Sequence, residues 1–144
     1  MASEANDVAI SRLKAVKSAY IIEADASMAS GHEAAAMDLF VKAAGLELEL
    51  ADWFESRSEQ VNAQISRFSA ASCFFRARQY RRASELFEQL LAVFPEARKL
   101  IAECEGKEDV PLTGATPGLQ ALIDLLVKKK LIDEAEWAQA IATH

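Results

Sequence analysis

An all-α fold of antiparallel helical hairpins is predicted for this chain by three features of its sequence. Helix-favouring residues dominate: Ala, Leu, Glu, Lys, Gln and Arg are abundant, while 144 residues hold only five Gly and three Pro. Such side chains lose little freedom in a helix. Apolar residues recur three and four positions apart, the period of a helix with one buried face. Short Gly- or Ser-bearing breaks then divide the chain into stretches of helical length.

The elements follow in order. Ser3-Glu4 opens a first helix that carries Ile10, Leu13, Val16, Lys17, Tyr20, Ile21, Ala24 and Met28 near one face, and Ser30-Gly31-His32 turns it. A second helix from about His32 aligns Ala36, Leu39, Phe40, Ala43, Leu46, Leu50, Trp53 and Phe54. Gly45 inside it costs about 1 kcal/mol relative to Ala and is a candidate kink. Ser56 and Glu59 have the spacing of a capping box, which predicts a turn and an N-cap at Ser56. The third helix runs through Val61, Ile65, Phe68, Ala71, Cys73, Phe74 and Phe75 to about Ala77, and Arg78-Gln79-Tyr80 turns it. The fourth carries Ala83, Leu86, Phe87, Leu90, Leu91 and Phe94; Pro95 closes it or begins a short continuation to about Cys104.

Residues 1–104 thus form a helical domain, and Glu105 to Ala115, with Gly106, Pro111 and Gly114, read as a linker. Thr116-Pro117 caps a further helix through Leu119, Leu122, Ile123 and Leu126, ending in Lys128-Lys129-Lys130. Asp133 and Glu136 open a last one with Trp137 and Ile141, so residues 116–144 are expected as a short C-terminal helical hairpin. A helix of about fourteen residues is marginal alone in water, so its apolar stripe is expected to dock over Ile65, Phe68 and Phe75, in the same chain or in a second copy.

Ala71, Phe74, Ala83, Phe87 and Pro95 have the spacing of small and aromatic residues found where two helices of a repeat pack closely. In this respect the chain resembles the tetratricopeptide repeat, with Ala24, Gly31, Ala36, Phe40 and Ala43 as an earlier copy in which Ser27 replaces the aromatic. The 47 residues from Phe40 to Phe87 exceed the 34 of that repeat. A bundle of four long helices, similar in outline to microtubule-interacting-and-trafficking domains, is the alternative. Either resemblance implies a protein-binding role.

The acidic N-terminus has neither a basic nor an apolar segment of the kind that directs export, and the longest apolar stretch, Leu119 to Val127, is too short to span a bilayer. Cys73 and Cys104 lie far apart and are expected as free thiols in a reducing, cytoplasmic setting. The net charge of −6 argues against a nucleic-acid partner. It is unevenly spread: residues 1–55 hold four cations against ten carboxylates, residues 56–100 eight against four, and residues 101–144 four against eight. There is no phosphate-binding Gly-rich loop and no nucleophile elbow, and only His32 and His144 could supply imidazole. Parts of Phe68 to Leu91 resemble the helical ribonucleases called HEPN domains, but the Arg-x4-6-His motif is missing. No catalytic residue, cofactor or metal is therefore expected.

Two features point to a protein partner. By the repeat resemblance, Ile65, Phe68, Phe75 and Arg76 lie on an inner face suited to an amphipathic helix, either a partner's or the chain's own. Arg76, Arg78, Arg81 and Arg82 cluster around the third turn. Arg81 and Arg82 open a helix at its positive end, where each is unfavourable by roughly 0.3 to 1 kcal/mol. An acidic partner surface and the chain's own Glu103 to Asp109 are the candidates to offset that, and a solvated basic face is the alternative. The expected function is a non-catalytic adaptor or scaffold; a self-associating module or the regulatory subunit of an enzyme complex are the alternatives.

Overall fold

The structure, a computed structural model, describes residues 2–112, with side chains from residue 7. The expected hairpin at 116–144 and the end of the expected linker lie outside the described residues. Five α-helices are present among those described: α1 Ala2–Ala29, α2 Glu33–Ser56, α3 Gln60–Arg76, α4 Tyr80–Leu90 and α5 Ala97–Cys104. The fold of the described part is therefore all-α. Each helix packs chiefly on its neighbours in sequence, α1 on α2, α2 on α3, α3 on α4 and α4 on α5, so the hairpins form an open array. None of these helices is long and apolar enough to cross a membrane.

Three of the reversals are built alike. At Gly31, Ser58 and Arg78 the backbone adopts positive φ (81°, 60° and 57°). The N–H of each donates to the carbonyl three residues back, and the N–H of the following residue donates to the carbonyl five back: His32 to Ser27, Glu59 to Phe54, Gln79 to Phe74. This closure satisfies helix-end carbonyls that would otherwise lack partners. The residue after each reversal is the N-cap of the next helix, and its carbonyl accepts from an alanine N–H four positions on, Ala36, Ala63 or Ala83. Another alanine, Ala24, Ala51 or Ala71, stands seven residues before each reversal. All six are fully buried, because only a methyl group fits where two helix backbones meet next to a corner. The corner at Ala51 and Ala63 follows the same spacing as those at Ala24 and Ala36 and at Ala71 and Ala83.

The capping box expected at Ser56 and Glu59 does not form. The closure at Ser58 supplies partners to the carbonyls of Phe54 and Glu55, which lets α2 continue through Ser56. The Ser56 hydroxyl instead donates back to the carbonyl of Trp53 at 2.6 Å, and Glu59 is the N-cap of α3, without a side-chain cap bond.

The helix α2 is continuous through Gly45, where an added Cβ would meet nothing within 4 Å. Gly45→Ala should stabilise the fold by about 0.5–1 kcal/mol, since the helix gains propensity and loses no space. Gly31→Ala should destabilise it by about 1 kcal/mol, because a Cβ at φ +81° strains the corner. Urea midpoints at unchanged slope measure both. Midpoints that move the same way for the two variants would contradict this account of the backbone.

Three groups of buried side chains make the core. Ile10 and Leu13 of α1 meet Leu50 of α2 at the end near the Ser58 corner, flanked by Trp53 and Phe54. At the opposite end Ala24, Ala36, Met37, Leu39, Phe40 and Ala77 pack together. The third group joins α2 to α5 through Ala43, Ala70, Ala71, Phe74, Phe87 and Ala97, with Tyr20 and Ile21 of α1 against it. Lys17, on the buried stripe of α1, reaches the carboxylate of Glu47 at 2.9 Å; Glu47 is only 4% exposed.

Candidate functional site

At eleven residues α4 is roughly 16 Å long, against about 25 Å for the seventeen of α3. It runs back along the C-terminal part of α3 and leaves the start of α3 uncovered. Ile65 is accordingly 49% exposed and Val61 70%. Phe68 and Phe75, expected to line an open groove with Ile65, are half-buried by the chain's own side chains. The Phe68 ring lies 5.4 Å from that of Phe87 and 5.0 Å from that of Phe94, centroid to centroid. Phe75 meets Tyr80 edge-on, and the ammonium of Lys107 sits over both rings. The apolar inner face read from the sequence is thus divided: Phe68 and Phe75 are occupied from within, and Ile65 is not.

The arginine cluster also divides. Arg76 pairs with Asp25 of α1 and lies over the Phe40 ring, and Arg78 faces Glu33 at 3.6 Å. These two tie the third corner to the first hairpin. Arg81 and Arg82 pair with neither of those carboxylates. Arg81 is 3.5 Å from Glu85, one helical turn on, with its side chain 86% exposed. The Arg82 guanidinium lies 4.9 Å from the centre of the Phe74 ring, and no carboxylate among the described residues pairs with it.

Residues 105–112 carry no helix and are tied to the array. After Cys104 the chain turns at Gly106, where φ is +76°. It then crosses the third corner, where the N–H of Val110 donates to the carbonyl of Arg78 at 3.2 Å and the Gln79 amide donates to the carbonyl of Val110 at 2.7 Å. The carboxylate of Asp109 accepts the N–H of Arg81 at 3.0 Å. That N–H belongs to the first turn of α4, whose donors have no partner within the helix and whose end attracts negative charge. Asp109 thus places a negative charge at the helix end that Arg81 and Arg82 open. Val110 and Leu112 pack on the group that contains Ala24, Met37 and Phe40.

Beside this strap a cleft of about 470 Å³ opens, lined by Val41, Phe74, Gln79, Arg81, Arg82, Glu85, Asp109 and Leu112. Its floor is apolar, with an aromatic ring under a cation, and its rim is charged. Of the residues expected to bind a partner, only Arg81 and Arg82 line it. Val41, Gln79, Asp109 and Leu112 were missed from sequence. One signal was available, since Val110 precedes Pro111 and so favours an extended backbone, and apolar Val110 and Leu112 alternate after a carboxylate.

Neither cysteine lies in this cleft; both are free and buried. Burial pushes the Cys73 thiol up from 9.0 to about 11, with the Glu47 carboxylate adding to the rise, and burial likewise raises Cys104. Tyr20 is pushed up from 10.0 to about 12, first by burial and then by Glu23 and Asp38. The folded state thus holds protons that the unfolded chain releases first. Below pH 9 these groups are neutral in both states; stability due to Cys73 falls between about pH 9 and 11, and that due to Tyr20 between about 10 and 12. Urea midpoints against pH should fall over that range, and Cys73→Ala should remove the first part of the fall. At pH 8 a thiol reagent should label the native chain much more slowly than the urea-unfolded one. Equal rates would show the thiols to be open.

Among the described residues no group of three or more His, Cys, Asp or Glu is placed to hold a metal ion. Compared with known protein families, curated proteins and solved structures, the chain matches none.

Proposed function

We propose that this chain is a non-catalytic protein–protein interaction module, an adaptor or scaffold, that takes a carboxylate-bearing segment of a partner protein in the cleft beside α4. The carrying observation is Arg82. Its guanidinium lies over Phe74 at the edge of an apolar floor, with no carboxylate of the described residues opposite it. Such a cation holds an acidic side chain while the floor takes an apolar neighbour, and a cation already stacked on a ring loses little freedom on binding. Two free, buried thiols fit a reducing, cytoplasmic setting.

Capture from an extract of the source cells, using wild type and an Arg81→Glu, Arg82→Glu variant, tests the reading. Both positions are exposed, so the variant should fold. Partners that bind wild type and are lost with the variant support the proposal, and identical partner sets overturn it.

The uncovered start of α3 favours a second reading, self-association. Val61 and Ile65 stand one turn apart there, both exposed. Light scattering of wild type against Ile65→Glu separates the two: a dimer that the substitution dissociates supports self-association, and a monomer in both removes it.

A further inference from the structure

We infer that residues 107–112 are an internal ligand of the third corner, and that the external ligand of this corner is an extended peptide of the same chemistry. Such a peptide carries a carboxylate, an apolar residue directly after it, and a second apolar residue two positions further on. The inference rests on the interaction reading above and specifies the partner segment and its regulation.

The comparison among the three corners carries it. Gly31, Ser58 and Arg78 have the same backbone closure, yet only at Arg78, among the described residues, does a segment from elsewhere in the chain pair with the carbonyl of the reversing residue. The difference lies in the next position. Gln79 there offers a side-chain amide to the Val110 carbonyl, whereas the first two corners have His32 and Glu59. Val110 is thereby paired through both its N–H and its carbonyl, as a bound peptide is paired on a strand edge. Asp109 fills the other requirement of a peptide site, a charged anchor, by accepting from the first turn of α4.

None of these contacts depends on the strap belonging to this chain. Two are to main-chain groups of the strap, one is to a carboxylate, one is an ammonium over aromatic rings, and Val110 and Leu112 lie against apolar surface. Residues 105–109 are exposed, and the Lys107 ammonium of the strap lies over the rings of Phe75 and Tyr80. Being tethered at Gly106, the strap occupies the corner at high effective concentration. A partner segment must therefore displace it.

A fluorescein-labelled peptide copying residues 105–112 serves as the probe, titrated into the full chain and into a full-length Asp109→Ala, Val110→Gly variant whose own strap is weakened. The peptide should bind the variant at least tenfold more tightly than wild type, and replacing its Asp by Asn should weaken that binding at least fivefold. Equal affinity for both chains, or no binding to either, overturns the inference. Should the variant lose helix by circular dichroism, hydrogen exchange of the wild-type chain decides. An excess of peptide should accelerate exchange in the chain's own 107–112 at least fivefold while the α3 amides hold; no change overturns the inference. Partner capture that depends on Arg81 and Arg82 while these peptide tests fail would leave the interaction reading standing without the internal ligand.

Discussion

Phe87→Ala is expected to lower the stability of the fold by about 3–5 kcal/mol. The Phe87 ring is fully buried and central to the group that joins α2 through α5. It is also one of two rings that cover Phe68. Removing it opens a cavity that the neighbouring alanines, Ala43, Ala70, Ala71 and Ala83, cannot fill, because their short side chains have no rotamer freedom with which to collapse inward. Domains of this size typically have about 5–15 kcal/mol in total, so the variant should unfold at a much lower urea concentration with a similar slope. A loss below about 1 kcal/mol would mean that α4 contributes little to the array.

Lys17→Met should cost about 3 kcal/mol at neutral pH, by a different mechanism. Glu47 is 4% exposed, and its carboxylate has the Lys17 ammonium at 2.9 Å. Taking the cation away leaves a charge in apolar surroundings between α1 and α2, and that desolvation is the cost. We place the value at the low end of the buried-pair range, about 3–5 kcal/mol, because the Lys17 side chain is 23% exposed and water can reach part of the site. The double variant Lys17→Met, Glu47→Leu should recover most of the loss, since two apolar side chains of similar length need no solvation. A single variant as stable as wild type would show the pair to be solvated. A double variant no better than the single would move the cause from charge to packing.

The cluster Arg76, Arg78, Arg81 and Arg82 was visible as a cluster, and the acidic stretch before Val110 was visible as a candidate for the third corner. Which arginine meets which carboxylate was not. Arg76 pairs with Asp25 and Arg78 with Glu33, across 51 and 45 positions of sequence, while Arg81 and Arg82 face the cleft. Phe68 and Phe75 carried the apolar signal of a binding groove equally with Ile65. Phe87 of α4 with Phe94 beyond it covers the first, Tyr80 of α4 with Lys107 covers the second, and α4 is too short to reach the third.

Within residues 2–112 the sequence by itself determined where the chain is helical and, to within two residues, where it turns. Helix formation depends on hydrogen bonds four residues apart and on side-chain freedom, both local, and the apolar period with breaks at Gly31, Ser58 and Arg78 records them. It also carried, three times, the alanine spacing that lets hairpins pack closely. The tertiary structure alone decided three things. Ser58 and Arg78 take a left-handed conformation that their side chains do not favour, because the closure of the corner and the packing of the flanking alanines outweigh the local preference. Glu47 is buried because Lys17 on another helix compensates its charge. Residues 107–112 lie against the third corner because Arg78, Gln79 and Arg81 present hydrogen-bonding groups there, about thirty positions away in the chain. Each is a balance between residues distant in sequence, and local patterning holds no record of it.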